Sequence, residues 1–379
     1  MISNFLKIGA LAVFVGISAM LFISVKNKQT TPSALPTDTI VPTTSTPTEK
    51  TTEQIPPTSS TKENKPVVKV NPPPVVKPSP PPTAPTPAPP APTPAPKPVS
   101  NGNTQIAGCS IFPSNNAWNQ DVSGLPVLAK SETYITSIGR DKKLHPDFGE
   151  NQEYGIPYNV VPAGQKKVPI TFTDYGDESD PGPYPIPDSA KIEVGGDAHV
   201  LVLDSGACKL YELFAASKNN QGGWNAASGA VFDLNSNALR PEGWTSTDAA
   251  GLPVLPGLVR YDEIAAGQIT HAIRFSAQRT QNGWIHPATH QAGSNNDSLP
   301  PMGLRLRLKT NFDTSKFTGQ AKIILEAMKK YGLILADNGG AWFFQGATDP
   351  RWKDDELNQL KQVPGSAFEA VDTGVIHKD

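Results

Sequence analysis

Positive charge is scarce where this chain should fold, and so are cysteine and the short motifs that announce common chemistries. The 379 residues carry 33 Lys and Arg against 35 Asp and Glu. Nine of the lysines but only four of the acids fall in residues 1–104, which leaves the remainder with 24 basic against 31 acidic side chains. Phosphate backbones need a basic face, so nucleic acid is excluded as a partner. Only two cysteines occur, Cys109 and Cys208, and without clustered partners they make no zinc site. There is no phosphate-binding glycine loop, Gly-x-Ser-x-Gly elbow, HExxH pair or dinucleotide fingerprint. GGDAH precedes a strand rather than opening a helix, so its glycines are no Rossmann signal.

Proline is what the chain has in abundance, 40 residues, and its N-terminal part explains much of that. Ile8 to Val25 is an uncharged apolar run flanked by Lys7, Lys26 and Lys28. About 20 such residues span a bilayer as a helix, and the run exceeds the roughly 7–15 residues of a cleaved signal core. No small-x-small cleavage site or lipid-accepting cysteine comes after it. Residues 1–26 are therefore expected to form a single-pass membrane anchor or signal-anchor. Lysines on both flanks set no orientation by themselves, so the residues beyond the anchor decide it. Residues 27–104, dominated by Thr, Pro, Ser and Lys, cannot bury enough apolar surface to offset chain entropy, so a disordered Pro/Thr-rich linker is expected. Its proline tract favours polyproline II, at about 3.1 Å per residue, a semi-rigid stalk. Such a stalk suits an extracytoplasmic domain at 105–379, where an even cysteine pair invites a Cys109–Cys208 disulfide. Two buried free thiols are the alternative.

Within the domain, SETYITSIG predicts a short helix with Ser131 as N-cap and Gly139 as stop. From Leu144 onward GIPYNVV, KVPITFTDY, HVLVLD, CKLYELFAA, GAVFDL, HAIRFSA and MGLRLRLK read as strands separated by turns. HVLVLD is apolar on both faces and should be central, joined to CKLYELF by a hairpin with Gly206 in its turn. In MGLRLRLK, Leu304, Leu306 and Leu308 share one face and Arg305 and Arg307 the other, the pattern of a half-buried antiparallel strand. A long helix is predicted over Lys316–Tyr331, apolar at Phe317, Ala321, Ile324, Leu325 and Met328, capped by Ser315 and stopped by Gly332, and a shorter one near Lys353–Gln362. The fold expected is mainly β, an antiparallel β-sandwich or jelly roll with a few peripheral helices.

LHPDFG, GIPYNVV, YGDESDPGPYPIP, SGAVFDLNSNALRPEGWTSTDAAGLPVLPGLVRYDEI, PPMGLRLRLK and YGLILADNGGAWFFQGATDPRW together resemble a family of secreted bacterial proteins with no established activity. The resemblance covers essentially all of 108–372, and the GWTSTDAAGLP…LVRYDE run is its most specific part. It implies one intact extracytoplasmic domain and carries no catalytic residue across.

Gly243 to His290 gathers much of the polar material suited to chemistry: Asp248, Arg260, Asp262, Glu263, His271, Arg274, His286 and His290. Short apolar segments between them end in loops, which is how a β-scaffold presents a site. Glycoside hydrolysis needs two carboxyl groups about 5–10 Å apart. Candidates are Asp204, Glu212, Asp262, Glu263 and Asp337. Glu212 shares a face with Leu210 and Phe214, an apolar setting that raises a carboxyl pKa and suits an acid; the alternative is a carboxylate paired with Arg274 or Arg305. His199 and His271 open strands and are candidate proton shuttles or hydrogen-bonded structural residues. His286 and His290 have i, i+4 spacing, but Pro287 disfavours helix at His286 and no further ligand motif supports a metal. All six tryptophans lie in this domain, several beside glycine, and Trp244, Trp284 and Trp342 are candidate sugar platforms alongside His286, with core filling the alternative. TDYGDESDPG offers oxygen ligands for a structural calcium, or an acidic solvated turn; DLNSN lacks the residues that close an EF-hand loop and reads as a turn.

These observations direct the domain at a cell-wall or environmental polysaccharide. The first reading is a glycoside hydrolase or lyase using Glu212, His271, Asp262, Arg274 and His199. A non-catalytic carbohydrate-binding or adhesion module, or a structural envelope domain, would share the same anchor and stalk. No cofactor is expected beyond that calcium.

Overall fold

A computed structural model describes residues 104–378; the expected anchor at 1–26 and nearly all of the linker at 27–104 lie outside them. Among the described residues no helix is long and apolar enough to cross a membrane. The fold is β-rich with few helices. In chain order the strands are β1 (Gln105–Ile106), β2 (Cys109–Ser110), β3 (His145–Pro146), β4 (Tyr158–Val161), β5 (Ile170–Phe172), β6 (Val200–Asp204), β7 (Lys209–Phe214) and β8 (Ser217–Lys218). They continue with β9 (Trp224–Ala226), β10 (Ser228–Asp233), β11 (Ile273–Ala277), β12 (Arg305–Leu308), β13 (Leu333–Asn338), β14 (Phe343–Phe344) and β15 (Phe368–Ala370). The helices are α1 (Ser131–Ile138), α2 (Tyr261–Ala265), α3 (Gly319–Lys330) and α4 (Asp354–Leu357).

Among the described residues these strands form four sheets, ordered β1-β2, β10-β7-β6-β4, β15-β12-β13-β11-β14-β3 and β5-β9-β8. Pairing is antiparallel at β6/β7, β7/β10, β12/β13 and β12/β15. It is parallel at β4/β6, β5/β9, β11/β13 and β14/β3, so these sheets are mixed where the strand pattern suggested antiparallel pairing alone. Between β11 and β13 the chain runs through β12 and α3, and a parallel pair needs a long crossover of this kind.

The two-faced apolarity of VLVLD places β6 in the interior of its sheet. Leu201 and Leu203, with Leu210 and Phe232, join the larger core, which also holds Ile273, Phe275, Leu306 and Leu333. Val200, Val202 and Leu213 face the opposite way into a second core with Trp224 and Ala226. In the β6–β7 hairpin the Asp204 carboxylate accepts the N–H groups of Gly206 and Ala207 at 2.9 and 3.2 Å. A Cβ at Gly206 would come within 2.3 Å of the Ala163 Cβ, which is why glycine stands there. Cys208, beside this turn, is bonded to Cys109 in a disulfide that closes a 99-residue separation.

The strand RLRL departs from its half-buried reading. Arg305 and Arg307 are buried along with the leucines, because backbone carbonyls rather than water receive their N–H groups. Arg305 donates to Tyr331 O and Ala117 O, and burial lowers its pKa to about 9. Arg307 donates to Val122 O, Ser123 O and Leu125 O and to the Glu369 carboxylate. Both thereby tie the entry segment onto the six-stranded sheet. Helix α3 buries Ala321, Ile324, Leu325 and Met328 and packs on β12. After it Gly332 takes φ +72°, where a Cβ would sit 2.1 Å from Leu306 O. Ser131 is the first residue of α1 rather than its cap; its hydroxyl accepts the Ala370 N–H at 2.8 Å and so bonds α1 to β15.

Candidate active site

Strand β11 is buried along its length, and Arg274 leaves it with a side chain only 4% exposed. Its Nη1 donates to Gln345 Oε1 at 3.0 Å. Nη2 lies 3.5 Å from Asp248 Oδ2 and 3.8 Å from Asp337 Oδ2, and the buried Nε has no hydrogen-bond partner. Two carboxylates thus share one guanidinium that neither satisfies at close range. Both oxygens lie near the same nitrogen, so their separation cannot exceed the sum of those two distances.

Asp248 is fixed by its loop: Oδ1 accepts the N–H groups of Ala250 and Leu252, both at 3.0 Å. Its carboxyl is pushed up to about 6, burial being the largest cause and the Glu212 charge adding to it, against the pull of Arg274 and the two N–H groups. Asp337, at the end of β13, is pushed up to about 7 by burial and then by the Asp248 charge, with Arg274 opposing. Its side chain keeps 35% exposure, so it is the member of the pair that meets solvent. A shallow pocket of about 220 Å³ opens there, lined by Tyr175, Phe214, Thr247, Asp248, His290 and Asp337 among others. His290 Nδ1 is 2.8 Å from Ala249 O. A carbonyl only accepts, so Nδ1 carries a proton and Nε2 is the ring nitrogen left for other partners.

His199 borders this cluster. Its Nδ1 meets Glu193 Oε2 at 2.5 Å and its Nε2 meets Thr247 O at 2.9 Å. Both partners are acceptors, which makes the ring an imidazolium paired with a carboxylate. Burial works against each charge, but their mutual hydrogen bond and attraction outweigh it, raising His199 and lowering Glu193. A ring with both nitrogens engaged supplies positive charge rather than a free base.

The residues singled out from the sequence fall in separate places. Arg274 and His199 belong to this cluster. Glu212 is closed from solvent and accepts Val254 N–H, Leu255 N–H and the Thr247 hydroxyl, each at 2.9 Å. Burial raises its pKa, as its apolar face implied, yet its partners are backbone amides and a hydroxyl, not an arginine, and it locks the 243–260 loop onto β7. Fully buried His271 sits beneath another network, 2.9 Å from Arg260 Nη2 and 3.0 Å from Glu263 Oε1. Burial would raise Glu263, but the Arg260 charge and His271 hold it down at about 2. Asp262 is exposed and pairs with Arg351 at 2.8 Å.

A larger pocket of about 520 Å³ lies over that second network, lined by Thr104, Tyr158, Arg260, Asp262 and Glu263 among others. Size does not make it the better site. Glu263 there is already ion-paired and held ionised, a structural arrangement, whereas Asp248 and Asp337 are held toward the neutral form. Of the aromatic candidates, Trp342 is wholly buried against Phe275 and Phe368 with Nε1 donating to Gly139 O. Trp284 is 3% exposed, so neither offers a free ring face to a sugar. Trp244 is partly exposed with the Arg240 guanidinium over its ring at 5.7 Å. In the acidic loop, Glu178 accepts Thr245 N–H, and Asp180 pairs with Arg240, whose Nε donates to Thr245 O, so the first braces the 243–260 loop directly and the second through Arg240. Tyr175 and Glu193 carried no sequence signal for this site, since their neighbours there come from distant strands. No protein-family model, curated protein or solved structure matches the chain.

Proposed function

We propose that the domain is a carbohydrate-active enzyme working on an extracytoplasmic polysaccharide, with Asp337 as proton donor and His290 as base. The chain is held at the membrane through residues 8–25 and spaced from it by the stalk. The observation that carries the chemistry is the Asp248–Arg274–Asp337 cluster: two carboxyls crowded on one arginine, the more exposed of them raised to about 7. An acid poised near neutrality matches general-acid work. The Asp337 proton passes to the leaving glycosidic oxygen as the C–O bond breaks. In hydrolysis His290 Nε2 takes a proton from the water that adds to the anomeric carbon; in elimination it takes the proton from the sugar carbon itself. Asp248 positions charge, keeping Asp337 protonated. Tyr175, 47% exposed, and Phe214 supply aromatic faces beside these groups, and a pocket smaller than the roughly 300–1,000 Å³ of drug-sized sites suits one sugar unit. For the fold we favour a sandwich of the two larger sheets; its support is the β6–β7–β10 face that shares one core with the six-stranded sheet.

A second reading, a non-catalytic glycan-binding domain, has its own support: the Asp248 side chain has no exposed surface and its oxygens are occupied. The test is to incubate the full chain with a panel of polysaccharides and peptidoglycan, following released reducing ends, unsaturated ends and pull-down together. Enzyme action predicts product whose release falls at least about 100-fold in Asp337→Asn, the scale of general acid catalysis. Retention on a polymer without product would favour the binding domain, and neither release nor retention would remove both readings.

A further inference from the structure

Away from that pocket, Glu242, His286 and His377 bring one ligand atom each within 4.8 Å of one another, the one group of this kind among the described residues. We infer that these three side chains form a binding site for a divalent transition metal of the zinc type. The ligand chemistry is that of two imidazoles and one carboxylate, a set that zinc accepts while leaving a position open. Nitrogen donors disfavour calcium and magnesium, which take oxygen.

The surroundings hold the ligands in place. Glu242 Oε2 accepts the Trp284 indole N–H at 2.8 Å, which fixes the carboxylate and directs its other oxygen, Oε1, to His286 Nε2 at 2.6 Å. A hydrogen-bonded outer partner of this kind orients a metal ligand. The His286 and His377 rings stack with centroids 4.1 Å apart. His377 is placed by two backbone bonds with Trp284, N–H to O at 2.7 Å and O from N–H at 3.0 Å, and Trp284 is itself buried. Ligand atoms around a tetrahedral zinc stand about 3.3 Å apart, given metal bonds of roughly 2.0–2.1 Å. Binding therefore requires the Glu242–His286 contact to open slightly, with the His377 ligand atom already within 4.8 Å of both. The His286 and Glu242 side chains, 39% and 53% exposed, have the freedom to do so, and an ion reaches them from solvent. The metal would join three segments distant in sequence and clamp the C-terminal end of the chain to the loop at 242.

The test is calorimetric titration of zinc chloride into the full chain, carrying no polyhistidine tag, beside Glu242→Gln, His286→Ala and His377→Ala. The site predicts one zinc per chain with a micromolar or tighter Kd, weakened at least tenfold in each variant, and a zinc-dependent rise in Tm that His377→Ala abolishes. The His377 side chain is half-buried, and circular dichroism of His377→Ala checks that the fold survives the change. Absence of one-to-one binding, or binding of unchanged affinity in all three variants, would overturn the inference.

Discussion

Replacing Asp337 by Asn should stabilise the protein above neutral pH and leave it unchanged in acid. A carboxyl moved from its ordinary 3.8 to about 7 binds its proton more tightly folded than unfolded, and at about 1.4 kcal/mol per tenfold the full shift is worth roughly 4 kcal/mol. A third of the side chain meets water, whose screening weakens the burial penalty, so about 2 kcal/mol is the figure to expect. The sign is set by the direction of the shift: with the folded pKa raised, the stabilising contribution is complete below about pH 4 and is lost as pH rises through about 7. Asparagine is neutral throughout and can still accept the Asn338 N–H that now reaches Oδ1 at 2.7 Å. Urea unfolding of wild type and variant at pH 4 and pH 8 measures it. The variant should be more stable by about 2 kcal/mol at pH 8, with the difference gone at pH 4. A variant no more stable than wild type at pH 8, or a difference independent of pH, would refute the reasoning.

Two further outcomes rest on the buried charges and the disulfide. Glu193→Gln leaves the His199 imidazolium without its carboxylate, and breaking a buried pair in this way costs about 3–5 kcal/mol. The difference from wild type, read by urea unfolding, should be largest between the lowered pKa of Glu193 and the raised pKa of His199. It should shrink as pH falls through the first or rises through the second. Opening the Cys109–Cys208 bond in the double Cys→Ser variant releases a loop of 99-residue separation, for which the chain-entropy model gives about 4.7 kcal/mol. A fall in Tm matched by adding reductant to wild type is the expected result, and equal Tm values would show that the bond contributes little.

What the sequence displayed was local pattern. VLVLD read as a central strand and is buried on both faces; the apolar stripe of α3 and the glycines at 206 and 332 were equally plain. Burial of Glu212 was implied by its neighbours on β7. Its partners were not, because Val254 and Leu255 lie 42 and 43 residues further along the chain. Arg305 and Arg307 looked solvent-facing because an arginine that donates to carbonyls at 117, 122 and 331 leaves no mark beside itself. Asp248, His290 and Asp337 each stood out as polar residues in loops or at strand ends. Only the parallel register of β11 on β13 brings Asp337 to Arg274, and register between distant strands is not written in either one. His377 carried no motif at all and acquires significance only through the backbone bonds that set it beside His286.

The most direct test of the proposed acid is the pH dependence of product release from whichever polysaccharide the panel identifies. With Asp337 as proton donor, the wild-type rate should fall on the alkaline side of about pH 7, and Asp337→Asn should lose at least about 100-fold in rate together with that limb. A variant that releases product at the wild-type rate, with the same alkaline limb, would contradict the account.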